Sequence, residues 1–219
     1  MSMNLAPYID HTLLKPEVTF SDIQKLCEEA KRFQFHAICI NPYWISSAAP
    51  ILQGTEIKIC TVVGFPLGAS LPTSKAAATK HSIEQGADEI DMVMNIGAAI
   101  EGHWNFVEHE IHEVVSIAAL QGMNKTVKVI LETCLLSLEQ IARACETAKR
   151  AGAHFVKTST GFNKHGATLE HVKLMRKTVG ADMGVKASGG IKDEKTAWSM
   201  IEAGASRIGT SSGPAIISL

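Results

Sequence analysis

Three charged residues stand in short apolar runs that should carry none. Asp91 lies in EIDMVMN, Lys157 in FVKTS and Lys186 in GVKASGG, each beside Val, Ile, Met or Ala. If these runs are strands, period-2 alternation puts each charge on the face opposite its apolar neighbours, and in a closed sheet that face is the interior. A charge buried there needs a partner or a purpose. A lysine amine attacks a carbonyl only as the neutral base, and its ordinary pKa of about 10.4 keeps it protonated near pH 7. A second cation close by, or exclusion of water, favours the neutral form. Two lysines, with an aspartate to balance charge and move protons, therefore suit Schiff-base chemistry on an aldehyde or ketone. Lys128 and Glu132 of VKVILET and Asp10 of YIDHTLL are further candidates for the same lining. The bland alternative is a buried ion network, or strand-end lysines that reach water.

Something must bring these runs together. Short Val- and Ile-rich runs alternate with stretches of helical period: KICTVVGF then TSKAAATKHSIEQ, EIDMVMNI then NFVEHEIHEVVSIAAL, VKVILET then SLEQIARACETAKRA. This βαβα order calls for a parallel sheet clothed in helices. Residues 8–13, 37–40, 155–159, 185–188 and 207–209 bring the strand count to eight, so units of roughly 27 residues fill the chain as one (β/α)8 TIM barrel over residues 1–219. The last helix must be short. An open doubly wound sheet is the rival, but no G-x-G-x-x-G or G-x-x-x-x-G-K-[ST] follows the first strand.

An internal repeat supports the barrel. GADEID, GAHFVK and GASRIG each open with Gly-Ala where a helix should stop and a strand begin. Five residues past each glycine stand Asp91, Lys157 and Gly209, chemically unlike residues in equivalent places. A purely structural repeat does not demand that difference. Barrels of this kind hold their active sites at the C-terminal ends of the strands, where these positions fall.

Two glycine-rich turns point to the other end of a substrate. Strand seven runs into Ser188-Gly189-Gly190-Ile191 and strand eight into Gly209-Thr210-Ser211-Ser212-Gly213, both able to present backbone N–H groups and hydroxyls to an anion. Loops after strands seven and eight are a frequent phosphate site of such barrels. A phosphorylated aldehyde or ketone would fit both sites. His109 and His112 are three apart on an amphipathic helix, not four as in H-E-x-x-H, and no cysteine pairs with a histidine at ligand spacing; no metal or cofactor is expected. Cys39 falls at the repeat position matching Asp91 and Lys157, although a small buried thiol explains it as well.

The whole-chain properties narrow the partner. Lys+Arg of 21 against Asp+Glu of 22 leaves a net charge of -1, so no overall field gathers nucleic acid or an anionic membrane. The longest stretch without formal charge, residues 33–55, is broken by two prolines, Asn41 and Gly54 and is no clean membrane span. The N-terminal residues show no secretory pattern. Five scattered cysteines, without a C-x-x-C pair, suit reduced thiols in the cytoplasm. A homo-oligomer is compatible with all of this.

The same words carry a resemblance that covers nearly the whole chain: IDHTLLKP, CINP, TVVGFPLG, GADEIDMVMNIG, KVILET, FVKTSTGF, VKASGGI and RIGTSSG. Together they resemble the 2-deoxy-D-ribose-5-phosphate aldolase family, DEIDMV and VKTSTG most specifically. The resemblance implies a metal-free class I aldolase of deoxynucleoside breakdown that reversibly cleaves 2-deoxy-D-ribose 5-phosphate to acetaldehyde and D-glyceraldehyde 3-phosphate. It implies Lys157 as the Schiff-base lysine, Lys186 as its cationic neighbour and Asp91 as the proton-transfer partner. It also implies that Thr160, Gly161, Gly189, Gly190, Gly209, Ser211 and Ser212 surround the phosphate, and that Asp10, Thr12 and Cys39 border the sugar. Some relatives place a lysine directly after the glycine of KTSTG, where this chain has Phe162, with Lys164 two positions on. Some end in a tyrosine that assists proton transfer, whereas the tyrosines here are Tyr8 and Tyr43, so that role is expected to be absent or filled by water. Competing readings are another phosphosugar aldolase or isomerase barrel, or a non-catalytic phosphosugar-binding barrel.

Overall fold

A computed structural model describes residues 4–120 and 125–217. Eight parallel strands close in chain order: β1 (Ile9–Leu13), β2 (Ala37–Ile40), β3 (Lys58–Val63), β4 (Glu89–Val93), β5 (Thr126–Ile130), β6 (Phe155–Lys157), β7 (Gly184–Ser188) and β8 (Arg207–Thr210). Between them run α1 (Phe20–Phe33), α2 (Ile45–Leu52), α3 (Pro72–Glu84), α4 (Ile96–Ile100), α5 (Trp104–Leu120), α6 (Leu138–Arg150), α7 (Leu169–Val179) and α8 (Glu194–Glu202). After β8 comes α9 (Gly213–Ile216), a single turn. The expected (β/α)8 barrel with its abbreviated last helix is therefore present.

The Gly-Ala words do what their repetition suggests. Gly86, Gly152 and Gly204 all have positive φ (112°, 84° and 113°), a conformation that ends a helix and that glycine adopts without a Cβ clash. The third residue of each word then donates its N–H to the preceding strand: Asp88 to the Ile59 carbonyl at 2.8 Å, His154 to Val127 at 3.0 Å, Ser206 to Val185 at 2.8 Å. One register recurs three times, and it fixes the direction in which the residues that follow point.

Along the strands the apolar residues alternate outward. Ile38, Ile90, Met92, Val129, Val156 and Ile208 belong to the layer packed under the helices, each burial contributing about 1.5–3 kcal/mol for a side chain of this size. The alternate positions face inward and carry Asp10, Glu89, Asp91, Lys128, Lys157, Lys186 and Arg207, all 8% exposed or less. Phe155 plugs the interior, with the Arg207 guanidinium 5.3 Å from its ring centroid. Gly184 makes room for that ring, since a Cβ there would lie 2.2 Å from it.

Several strand boundaries differ from the sequence expectation, β3 ending at Val63, β5 at Ile130 and β8 at Thr210 among them, and three others show a local change. Tyr8 ends a 3-10 turn and precedes β1. The EIDMVMNI run stops at Val93 because the Asn95 side chain turns to cap α4, accepting the Ala98 N–H at 3.0 Å. β6 stops at Lys157, not at Ser159, since the Thr158 hydroxyl both accepts the Ser188 N–H and donates to its carbonyl, each at 3.1 Å, in place of a backbone ladder.

Candidate active site

Neighbouring strands put Asp91 opposite Lys128, Lys157 opposite Lys186, and Lys186 opposite Arg207. Three ammonium groups consequently converge on one carboxylate. Asp91 Oδ2 accepts from Lys157 Nζ at 2.8 Å and from Lys186 Nζ at 2.9 Å, while Oδ1 accepts from Lys128 Nζ at 2.7 Å. Lys186 also donates to Asp10 Oδ2, Arg207 reaches Asp10 Oδ1 at 2.9 Å and Glu89 Oε2 at 3.2 Å, and Lys128 reaches Glu89 Oε2 at 2.6 Å. The network leaves the barrel through His36, 3.3 Å from Glu89 Oε1.

Charge decides how this cluster behaves. Burial alone would raise the Asp91 and Asp10 carboxyls, but the surrounding lysines override it and hold Asp91 well below the usual carboxylate range and Asp10 below it too. Burial likewise works against charge on Lys186 and Lys128, yet Asp10, Asp91 and Glu89 hold both ammoniums above the ordinary lysine range. Lys186 is thus a fixed cation beside Lys157. In this interior four cations (Lys128, Lys157, Lys186, Arg207) face three carboxylates (Asp10, Glu89, Asp91). Lys157 has one carboxylate partner and shares it with two other lysines. Removing one proton from Lys157 leaves three cations against three anions, so a neutral nucleophile is compatible with balanced buried charge.

Above the cluster opens a cavity of about 210 Å³ with Lys157 in its wall. Its other walls are the two turns singled out from sequence: Ser188, Gly189, Gly190 and Ile191 after β7, and Gly209, Thr210 and Ser211 at the end of β8, joined by Thr12 from β1 and by Thr160 and Gly161 after β6. A larger groove of about 620 Å³, lined by Gln53, Lys58 and Asp88 among others, lies beside α2 at the N-terminal end of β3 and includes none of the interior lysines, so the chemistry belongs to the smaller space. Gly189, with φ +86°, backs so closely on the β6–α7 loop that a Cβ at Gly166 would sit 2.0 Å from its carbonyl oxygen.

The remaining sequence candidates divide. Asp10 and Cys39 are fully buried and lie outside the cavity wall, Asp10 within the ion network and Cys39 opposite Cys60 in the β2–β3 register. Ser212 is also outside the wall, its N–H donated to Thr210 Oγ1 at 2.9 Å. Glu132 does not join the lysines. From a left-handed backbone (φ 55°) its carboxylate accepts from the Thr160 hydroxyl and, at 3.1 Å, from Asn163 Nδ2, and so ties down the β6–α7 loop. Lys164 is exposed and absent from the cavity wall, whereas Lys15 and Lys192, neither anticipated, are part of it. Glu89, Arg207 and Cys60 were also missed; only their inward parity could have shown them. Cys60, kept a thiol by burial, donates to Asp91 Oδ1 at 3.1 Å.

Among the described residues two groupings have metal-ligand geometry, Cys39–Cys60–Asp91 and Asp10–Cys60–Glu89. Both lie among the ammonium groups of Lys128 and Lys186, which already occupy the carboxylate oxygens, so the donor set suits cations held by the chain itself. All five cysteines are free, with Cys27 pushed by burial to about 11 and Cys145 to about 12, outside the reactive range. His109 sits on α5 and pairs with Glu113 at 3.3 Å.

A family model described as a DeoC/LacD family aldolase matches residues 5–218. The chain belongs to this family. Among DeoC/LacD relatives, the deoxyribose-phosphate aldolase of Geobacillus sp. (strain WCH70) is 55% identical over 99% of this chain and 96% of its own, and that of Aciduliprofundum boonei is 58% identical over 97% and 95%. A solved deoxyribose phosphate aldolase from Aeropyrum pernix, described as a unique tetramer, superposes with a TM-score of 0.90 at 33% identity, covering 97% of this chain and 89% of that one. The fold and the aldolase class of this chain thus agree with the reading from its motifs. Among the described residues no helix is long and apolar enough to cross a membrane.

Proposed function

We propose that this chain, acting as one catalytic barrel, cleaves 2-deoxy-D-ribose 5-phosphate reversibly to acetaldehyde and D-glyceraldehyde 3-phosphate through a Schiff base on Lys157. The observation that carries it is the meeting of Lys157 and Lys186 on one Asp91 oxygen, with Lys157 in the wall of a cavity that is also lined by Gly189–Ile191 and Gly209–Ser211. Neutral Lys157 attacks C1 of the open-chain aldehyde, and the carbinolamine loses water to give a protonated imine. The ammonium's three N–H donors fall to one in the iminium, which loosens its hold on Asp91 Oδ2. A water held against Asp91 then takes the 3-hydroxyl proton and passes it to that carboxylate, while the Lys186 ammonium beside it stabilises the charge that develops. The C2–C3 bond breaks, its electron pair moving into the imine as glyceraldehyde 3-phosphate leaves. Protonation of the enamine at C2 and hydrolysis free acetaldehyde and restore the lysine.

An isomerase or a binding barrel built on the same cavity makes no acetaldehyde. Incubation with deoxyribose 5-phosphate, with acetaldehyde read by a coupled reductase, decides between them: formation of both products supports the aldolase reading and their absence refutes it. We further propose a cytoplasmic homo-oligomer, consistent with free thiols and with the Aeropyrum tetramer; sedimentation reads out the assembly.

In this reading the phosphate rests on backbone N–H groups and hydroxyls after β7 and β8, with Lys15 and Lys192 as cations of the same wall, whereas Phe162 has no side-chain donor and Lys164 is outside the wall. Ser211→Glu should raise KM for deoxyribose 5-phosphate by about tenfold or more through like-charge repulsion, and should change the slow cleavage of unphosphorylated deoxyribose much less. Lys164→Ala should have little effect. If Lys164→Ala is the more damaging to the phosphorylated substrate, the backbone account is wrong.

A further inference from the structure

One buried ionic group takes no part in the mechanism above. Lys75, on α3, is 1% exposed, and its ammonium spends all three donors: on the Gly68 carbonyl at 2.9 Å, the Val93 carbonyl at 2.9 Å and Glu110 Oε2 at 2.6 Å. The other Glu110 oxygen accepts the backbone N–H of Asn95. Burial works against charge on both partners, lowering Lys75 and raising Glu110. A pair of this kind is poor value as stabilisation alone, because apolar residues of similar volume often do as well. Its bonds, however, connect three particular places: the loop 64–71 after β3, the C-terminal end of β4 two residues beyond Asp91, and α5.

The loop is pressed tightly around this tether. A Cβ at Gly64 would lie 2.8 Å from Lys75 Cε, and one at Gly68, where φ is +70°, would lie 2.0 Å from the Met94 carbonyl oxygen. The residue the loop presents to the barrel mouth is Phe65. It packs against the small apolar cluster containing Leu14, Cys39, Cys60 and Val62, and against a second formed by Val93, Ile96 and Ile130. It also meets Phe162 edge to face, with centroids 5.2 Å apart at 89°. Phe162 lines the same cavity as Lys157, and Cys60 touches Asp91. Phe162, half exposed at 51%, is thus the aromatic ring in the cavity wall, and Phe65 backs it from outside that wall.

We infer that Lys75 is a positioning residue for the aldolase reaction: through the loop 64–71 it holds Phe65, which braces Phe162 as the apolar part of the cavity wall and so limits the water that reaches the imine and enamine on Lys157. The inference rests on the aldolase reading. A loosened wall admits water to an iminium whose C2–C3 bond must break before hydrolysis, so its failure lowers kcat. The phosphate turns belong to β7 and β8, so KM for the phosphorylated substrate is left nearly unchanged.

A double-mutant cycle tests this. Lys75→Met should lower kcat by about tenfold with KM within about twofold, and Phe65→Ala should do the same. In the Phe65→Ala background Lys75→Met should change kcat by less than about twofold, because its effect runs through a side chain already removed. Lys75→Met combined with Glu110→Leu removes the whole ion pair without stranding a buried charge, and should fold while keeping the low kcat. Multiplicative losses in the cycle, or wild-type kcat in that folded double variant, would show the pair to be merely structural and overturn the inference. A wild type that makes no acetaldehyde overturns the aldolase reading first, and this inference with it.

Discussion

Borohydride reduction in the presence of acetaldehyde should leave a two-carbon adduct on Lys157, found by peptide mapping. The other interior lysines are poor competitors for reasons of charge. Lys128 is held by Asp91 and Glu89, and Lys186 by Asp10 and Asp91, and both are fixed as ammonium by those carboxylates. Lys157 also has the exposure they lack, 3% against 0% for both, and it alone of the three lines the cavity. Lys157→Arg should abolish trapping and lower kcat by on the order of 10³-fold or more, because a guanidinium stays protonated while keeping the charge in place. An adduct found chiefly on Lys128 or Lys186 would overturn the assignment.

Lys186→Leu is expected to have the next largest effect, a fall in kcat of about 10²-fold or more. It should also move the rise of the trapping rate to higher pH. The sign follows from the charge count. With Lys186 gone, three cations face three carboxylates, and taking a proton from Lys157 then leaves an uncompensated buried anion. The variant should still fold, since Asp10 keeps Arg207 at 2.9 Å and Asp91 keeps Lys128 at 2.7 Å. Trapping rate against pH, measured beside the wild type, reads the shift directly. A lower rate with an unchanged profile would assign Lys186 a purely geometric role.

Much of this protein is written in local pattern. The Gly-Ala words mark helix end and strand start because a positive-φ glycine has a local steric cause, and three copies in one register imply a repeated βα unit. Parity along a strand is also local, so Asp91, Lys157 and Lys186 could be read as inward-facing before any contact was known. The GGI and GTSS turns are legible for a similar reason, since paired glycines and clustered hydroxyls can present N–H and O–H groups to an anion.

What lies across the barrel is another matter. Asp10 and Arg207 meet although 197 residues separate them, and Glu89 reaches both Lys128 and Arg207. These pairings depend on the stagger with which eight strands close, a property of the whole sheet that no single strand encodes. The same dependence sends Glu132 to the β6–α7 loop and away from the lysines, brings Lys15 into the cavity wall in place of Lys164, and joins Lys75 to Glu110 over 35 residues. Strand parity marked Asp91, Lys157 and Lys186 as inward-facing, and the glycine-rich turns as able to present N–H groups to an anion, but it passed over Glu89, Arg207 and Cys60. Tertiary structure alone decided which inward charges share a level and which carboxylate each lysine meets, because burial makes a charge depend on neighbours that only barrel closure brings within 3 Å.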